Sequence, residues 1–247
     1  MEYVALYLAA GFIGGIVNSA AGGAKLFVFP LLLASGMPPV AANATGTVAL
    51  WPAQLPVVWS YRRELAAYAA SFRIQLPLAV LGALVGSCAL IVSSEGTFLA
   101  VIPVLLCIAV GAILAGKQLS VLLQRLFRRE TLQTASIGLL FLTGIYGGYF
   151  GAGMGFILLA IFSIASSRDL HHANASKNLF ATCINTTAVI PLAFSGLVHW
   201  FAALSVLVGG LAGGAVSGWL LRRIPETPLR WAVTTLGVVL TASFLMR

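Results

Sequence analysis

Apolar residues run almost unbroken along this chain, in segments 3–36, 41–60, 66–92, 97–116, 132–166, 173–196, 200–221 and 229–246. A helix crossing the hydrocarbon core of a bilayer needs about 20 such residues. Long runs without strand-period alternation predict helices and not a porin-type barrel. Segments 3–36 and 132–166 are too long for one span, since at ~1.5 Å per residue each would reach about 50 Å. Both contain glycine clusters, Asn18-Ser-Ala-Ala-Gly-Gly23 and Gly147-Gly-Tyr-Phe-Gly-Ala-Gly-Met-Gly155. Glycine lowers helix propensity by about 1 kcal/mol and admits positive φ, so each cluster predicts a break that folds its segment into a hairpin. Met1-Glu2-Tyr3 lacks a basic stretch and reads as the start of a retained first span, not of a cleaved leader.

The two broken segments open an internal repeat. Gly11, Gly14, Gly15 and Gly22 match Gly144, Gly147, Gly148 and Gly155 at a constant offset of 133, and Ala42-Asn43-Ala44-Thr45 matches Ala173-Asn174-Ala175-Ser176 at 131. The expected organisation is a first transmembrane repeat over 1–116, a basic cytoplasmic linker over 117–130 and a second repeat over 131–247. Each repeat would comprise a glycine-broken hairpin plus three spans.

Loop charges orient the halves. Tyr61-Arg62-Arg63-Glu64 follows the second segment of half one, where half two has Gly196-Leu-Val-His-Trp200 with no Lys or Arg. After the third segment the bias reverses, with Ser93-Ser-Glu-Gly96 in half one and Arg222-Arg223 through Arg230 in half two. Basic loops stay in the cytoplasm, so the exchange predicts repeats of inverted topology. With hairpins at both breaks, the termini face outside and loops 61–64, 117–130, 167–172 and 222–230 face the cytoplasm. Twelve basic residues then lie on the cytoplasmic side, counting Arg73 and Lys177, with Arg247 outside and Lys25 within the membrane. A single crossing by each long segment gives at best a split of 8 to 5.

Composition narrows the class. Of 247 residues 60% are hydrophobic and 8% charged, against about 25% charged in soluble domains. Soluble, disordered and coiled-coil readings are excluded, and an all-α polytopic membrane protein remains. The net charge of +8 comes from basic residues scattered at span ends without aromatic interleaving, which excludes nucleic acid as the expected partner. Cys88, Cys107 and Cys183 lie in apolar segments without metal-ligand or disulfide spacing, and no metal or cofactor is expected.

Three features carry candidate chemistry. Helices broken within a bilayer expose backbone N–H and C=O groups, and half-helix N-termini carry partial positive charge suited to an anion. Asn18, Ser19, Gly22 and Gly23 at the first break, and Gly151, Gly153 and Gly155 at the second, are the candidate donors. Lys25 follows the first break and is the candidate charge, since an intramembrane lysine marks a pathway unless it snorkels to an interface. Lys177 occupies a similar niche in half two. Third, Asn43 and Thr45 with Asn174, Ser176 and Asn178 form a polar stripe, extended by Thr47, Gln54, Thr182 and Asn185, with interhelical hydrogen bonding as its plainer role. The glycines at 210, 214 and 218, spaced by four, read as helix-packing positions.

All six acids fall at segment ends or in loops, so no buried carboxylate is available to hold a cation or relay protons. His171 and His172 read as a surface pair, and His199 beside Trp200 as interfacial. No nucleophile–base pattern or phosphate loop occurs, and no enzyme activity is expected.

These residues resemble the sulfite exporter TauE/SafE family of bacterial membrane proteins. The resemblance covers essentially the whole chain. It rests on the duplicated glycine breaks (Gly14-Gly15 through Gly22-Gly23, and Gly147-Gly148 through Gly155), on Pro30-Leu31, and on the two Ala-Asn-Ala-Thr/Ser stretches. The chain departs from the family pattern at Lys25, where an apolar residue is usual, and at Ser163, which replaces the proline of the second copy. The resemblance implies transport of small anions such as organosulfonates or sulfite, by export across a bacterial inner membrane. A selective anion channel, a membrane scaffold and a membrane-embedded enzyme are the alternative classes. The expected partners are a small anion and the lipid bilayer, with no oligomeric state implied.

Overall fold

Both glycine clusters break their helices. The computed structural model describes residues 3–21, 23–68, 72–126, 129–165, 170–220, 235 and 238–239. Helix α1 (Val4–Ala21) ends at the first cluster and α2 (Lys25–Ala34) restarts beyond it. Helix α8 (Arg129–Tyr149) ends at the second cluster and α9 (Met154–Ala165) follows. At ~1.5 Å per residue the short arms are about 15 and 18 Å long, well under the ~30 Å of a hydrocarbon core. The second break is made by Gly151 and Gly153, at φ 76° and 71°. These are left-handed values that a Cβ disfavours by about 1–2 kcal/mol per residue.

Segment 41–60 is not one helix. It divides into α3 (Pro39–Leu50), a 3₁₀ turn (Pro52–Gln54) and α4 (Leu55–Ser60). Pro52 and Pro56 lack the N–H that continues an α-helix, which accounts for the interruption. Segment 66–92 likewise resolves into α5 (Arg62–Tyr68) and α6 (Gln75–Val92). Helix α7 (Glu95–Leu126) continues through most of the segment read as a linker. Two helices follow α9, namely α10 (Leu170–Phe194) and α11 (Trp200–Leu220). The predicted segment 229–246 and the basic loop at 222–230 lie almost wholly outside the described residues.

The described residues contain no strand. Three of their helical stretches are long and apolar enough to cross a bilayer, Gln75–Val92, Glu95–Ala115 and Trp200–Ser217. Large apolar side chains face outward, with Phe194 at 88% and Val92 at 83% exposure. In water such a surface would drive aggregation, whereas in lipid it is solvated. The protein is therefore an all-α polytopic membrane protein.

Two helix pairs form the frame, α1 against α11 and α8 against α6. The contacts are backbone on backbone. A Cβ at Gly11 or Gly15 would overlap the carbonyl oxygen of Val206 or Gly210, and one at Gly209 or Gly213 that of Leu8 or Phe12. The other pair repeats the arrangement, with Gly144 and Gly148 against the carbonyls of Ala79 and Ala83, and Gly82 and Gly86 against those of Phe141 and Ile145. Small residues let helices approach closely where lipid offers no hydrophobic drive. The first helix of each half thus packs on a helix of the other half. Some hydroxyls in the spans are satisfied locally, as where Thr143 donates to Leu139 O and Thr187 to Cys183 O.

Candidate functional site

Between the two breaks and the helices α10 and α11 lies a cavity of about 740 Å³. From α1 it receives Gly15 and Asn18, and from the start of α2 Ala24 and Lys25. The second break contributes Gly151, Met154 and Gly155, α10 contributes Asn174, Lys177, Asn178, Thr182 and Asn185, and α11 contributes Gly210 and Gly214. Thr47, Gln54 and Tyr61 complete the polar part of the wall. Two lysines line this space and no carboxylate does, among the described residues. The first turns of α2 and α9 both border it, and their N–H groups add partial positive charge. Ala24 precedes α2 without a side-chain cap.

Lys25 is buried, at 8% exposure. Its Nζ donates to Thr47 Oγ1 at 2.6 Å and lies 5.8 Å from the centre of the Phe150 ring. Thr47 Oγ1 in turn donates to Asn43 O at 2.8 Å, one turn back in α3. The lysine is therefore held inside the protein. It is fixed between α3 and the second break, a charge of the first half held against the second. Asn185 Nδ2 donates to Gln54 Oε1 at 3.0 Å, and Trp51 Nε1 to Thr186 Oγ1 at 2.7 Å, so α10 is bonded to the proline-rich turn after α3. Asn18, Asn174 and Asn178 make no side-chain hydrogen bond with the described residues and offer free carboxamides to the cavity.

Of the residues read from sequence, the structure brings Asn18, Lys25, Gly151, Gly155, Asn174, Lys177 and Asn178 to this one cavity. Others it places elsewhere. Asn43 is fully buried and its Nδ2 donates to Tyr149 O at 2.8 Å, holding the last turn of α8. Thr45 is fully buried as well, and its Oγ1 accepts from His199 N at 3.0 Å, tying the loop before α11 to α3. Ser176 is buried on the side of α10 away from the lining residues. Gly153 packs on α7, where a Cβ would sit 3.1 Å from Ala109 Cβ. Gly23 is buried and not among the cavity residues. Gly22 lies outside the described residues, and of Ser19 only the backbone, within α1, is described.

The reading of Gly214 as a packing position is corrected. A Cβ there would meet nothing within 4 Å, because the position faces the cavity. Gly209 and Gly213, one residue earlier in each turn, are the positions where the lack of a Cβ admits the Leu8 and Phe12 carbonyls of α1. Tyr61 is a polar lining residue that the sequence did not single out as a site. Its ring lies 5.3 Å from His171, whose Nε2 is 3.6 Å from Glu64 Oε1. Backbone hydrogen bonding, then the pairing with His171 and the charge of Arg63, hold the Glu64 carboxyl below the usual range. These groups mark the end of the cavity at the α4–α5 junction. A Tyr beside a basic loop carries no sequence signal that separates it from an ordinary interfacial aromatic.

The family model described as "Sulfite exporter TauE/SafE" matches residues 7–244. The Escherichia coli strain K12 protein described as "Probable membrane transporter protein YfcA" is 23% identical over 240 residues, covering 94% of this chain and 86% of its own length. A Haemophilus influenzae strain Rd protein described as "Probable membrane transporter protein" is 23% identical over 98% of this chain and 94% of its own length. A Sinorhizobium protein described as "Probable membrane transporter protein ORF9" is 26% identical over 86% of this chain and 81% of its own. No solved structure matches the chain.

Proposed function

The chain belongs to the sulfite exporter TauE/SafE family and is a membrane transporter; from that premise we propose that it carries a small anion, an organosulfonate or sulfite, across a bacterial inner membrane. The observation that carries the reading is the charge of the cavity wall, which among the described residues has two lysines, free carboxamides and no carboxylate. A cation in that space would face Lys25 without a counter-charge. A tetrahedral or planar oxyanion would be met by ammonium, amide and helix N-terminal donors, and bonds to charged groups are about twice as strong as neutral ones. The two halves act as repeats of inverted topology, with boundaries near 1–116 and 131–247 and both termini outside. Export is energetically supported, because a monoanion leaving a negative cytoplasm gains about 2.3 kcal/mol per 100 mV.

The test is flux into vesicles holding the purified protein, with sulfite, taurine, sulfoacetate and simple carboxylates compared. The expected result is saturable sulfite or sulfonate transport with mutual competition. Transport of none of these anions, or of cations instead, would overturn the reading.

A further inference from the structure

The cavity has two ends, and the side chains at them differ. One end runs past Pro56 and Val57 to Tyr61, at the α4–α5 junction beside the start of α10. Pro56 and Val57 are exposed, as are the lining residues Leu211 and Ala215 of α11, so the cavity reaches the surface of the protein along this side and not at Lys25. The other end stops at Lys25 and Gly151. Behind these two residues stands an aromatic stack. Phe150 lies 5.7 Å edge-on from Phe29 and 6.4 Å from Phe98, and all three rings are at most 1% exposed. Phe98 lies 5.7 Å from Tyr149, whose hydroxyl is 3.0 Å from Ser93 Oγ in the turn between α6 and α7. The path from cavity to that turn is thus occupied ring by ring.

The same end of the molecule is tied across elements. Val40 N donates to Glu95 Oε2 at 3.0 Å, and His199 N donates to Thr45 Oγ1 at 3.0 Å. The α6–α7 and α10–α11 turns are both held to α3 by these bonds. Ser93 and the α5 residues sit at opposite ends of α6, so the sealed end and the Tyr61 end are on opposite sides of the bilayer.

We propose that Phe150, stacked with Phe29 and Phe98, is the closed barrier of the transport path on the Ser93 side, and that the structure is the state open toward Tyr61. With the orientation expected from the loop charges, this is the cytoplasm-facing state. Edge-on aromatic packing suits a barrier that must open, because it excludes water and ions without any bond that an anion would have to break. The inference rests on the transport reading, and the experiment separates the two.

Vesicles are loaded with sulfite, and efflux through the unsubstituted protein is compared with efflux through Phe150→Ala. The barrier predicts faster downhill efflux in the variant, by about tenfold, as expected if the barrier falls by ~1.4 kcal/mol. In parallel, Ala181→Cys on the cavity wall is placed in a chain whose three native cysteines are serine. An impermeant anionic thiol reagent is then applied from each side. With Phe150 intact, labelling is expected to be much faster from the Tyr61 side, and with Phe150→Ala equally fast from both. Labelling as fast from the Ser93 side as from the Tyr61 side with Phe150 intact, or unchanged efflux in a folded Phe150→Ala protein, overturns the proposal. If Phe150→Ala does not fold, Phe150→Leu and the labelling of the Phe150-intact chain decide it. Absence of sulfite flux with labelling much faster from the Tyr61 side would overturn the anion reading and leave the barrier standing.

Discussion

Lys25 is the residue on which the candidate site turns. Its ammonium is spent partly on Thr47 and partly on the face of Phe150, and the remaining donors border the cavity. Lys25→Met is expected to leave folding intact, because the methylenes still pack, while anion transport falls at least about tenfold, in line with ~1.5–3 kcal/mol for a hydrogen bond to a charged group. Lys25→Arg should keep part of the activity, since the charge stays and its donor geometry changes. Vesicle flux together with thermal stability in detergent reads both, and normal flux in Lys25→Met would remove the lysine from the site. The sequence identified Lys25 because a lone cation in an apolar run has few benign explanations. Thr45 belongs to the polar stripe expected to line the cavity, and its hydroxyl is instead taken by a backbone N–H from 154 residues away. Nothing local distinguishes a Thr that ties down a loop from one that faces a cavity.

At the level of elements, adjacent glycines of α11 have opposite roles. Gly213 receives the Phe12 carbonyl, while Gly214 faces open space. Gly213→Ala should destabilise the protein by about 1–3 kcal/mol, the usual range for an overpacked contact. Gly214→Ala should fold normally and weaken binding of the bulkier sulfonates more than of sulfite, because the new methyl enters the cavity. Thermal unfolding with and without each anion checks the pair. A stability loss at 214 would return that position to packing. The spacing of glycines by four did show that α11 packs closely on another helix. It could not show which side faced the partner, because 209, 210, 213 and 214 fill two neighbouring faces of one helix.

Across the whole molecule, the reciprocal packing of α1 on α11 and of α8 on α6 links the halves, so neither half has its frame complete alone. Opposite orientation of the halves predicts which turns face which side. In a chain without native cysteines, Gly96→Cys and His199→Cys, both at exposed positions, are expected to react with an impermeant reagent from outside. Arg63→Cys is expected to react only from the cytoplasm. Val198 in the same turn is buried, at 8% exposure, and would report poorly. Labelling of position 63 from outside would sink the inverted arrangement.

Hydropathy and glycine placement alone determined the class, the two broken segments and the matching pairs of motifs, because a bilayer imposes long apolar helices and a break within one is chemically conspicuous. The break at 151–153 was legible for the same reason, since two glycines there adopt φ values that other residues resist. Only the tertiary structure decided which polar residues share a cavity. Asn43 and Asn174 occupy equivalent places in the two motifs, yet Asn43 holds the Tyr149 carbonyl while Asn174 lines the open space. Equivalent sequence positions sit in different surroundings when only one end of the path is open. The direction a side chain faces is fixed by helix crossings between residues more than a hundred apart, and those crossings leave no mark in the local pattern.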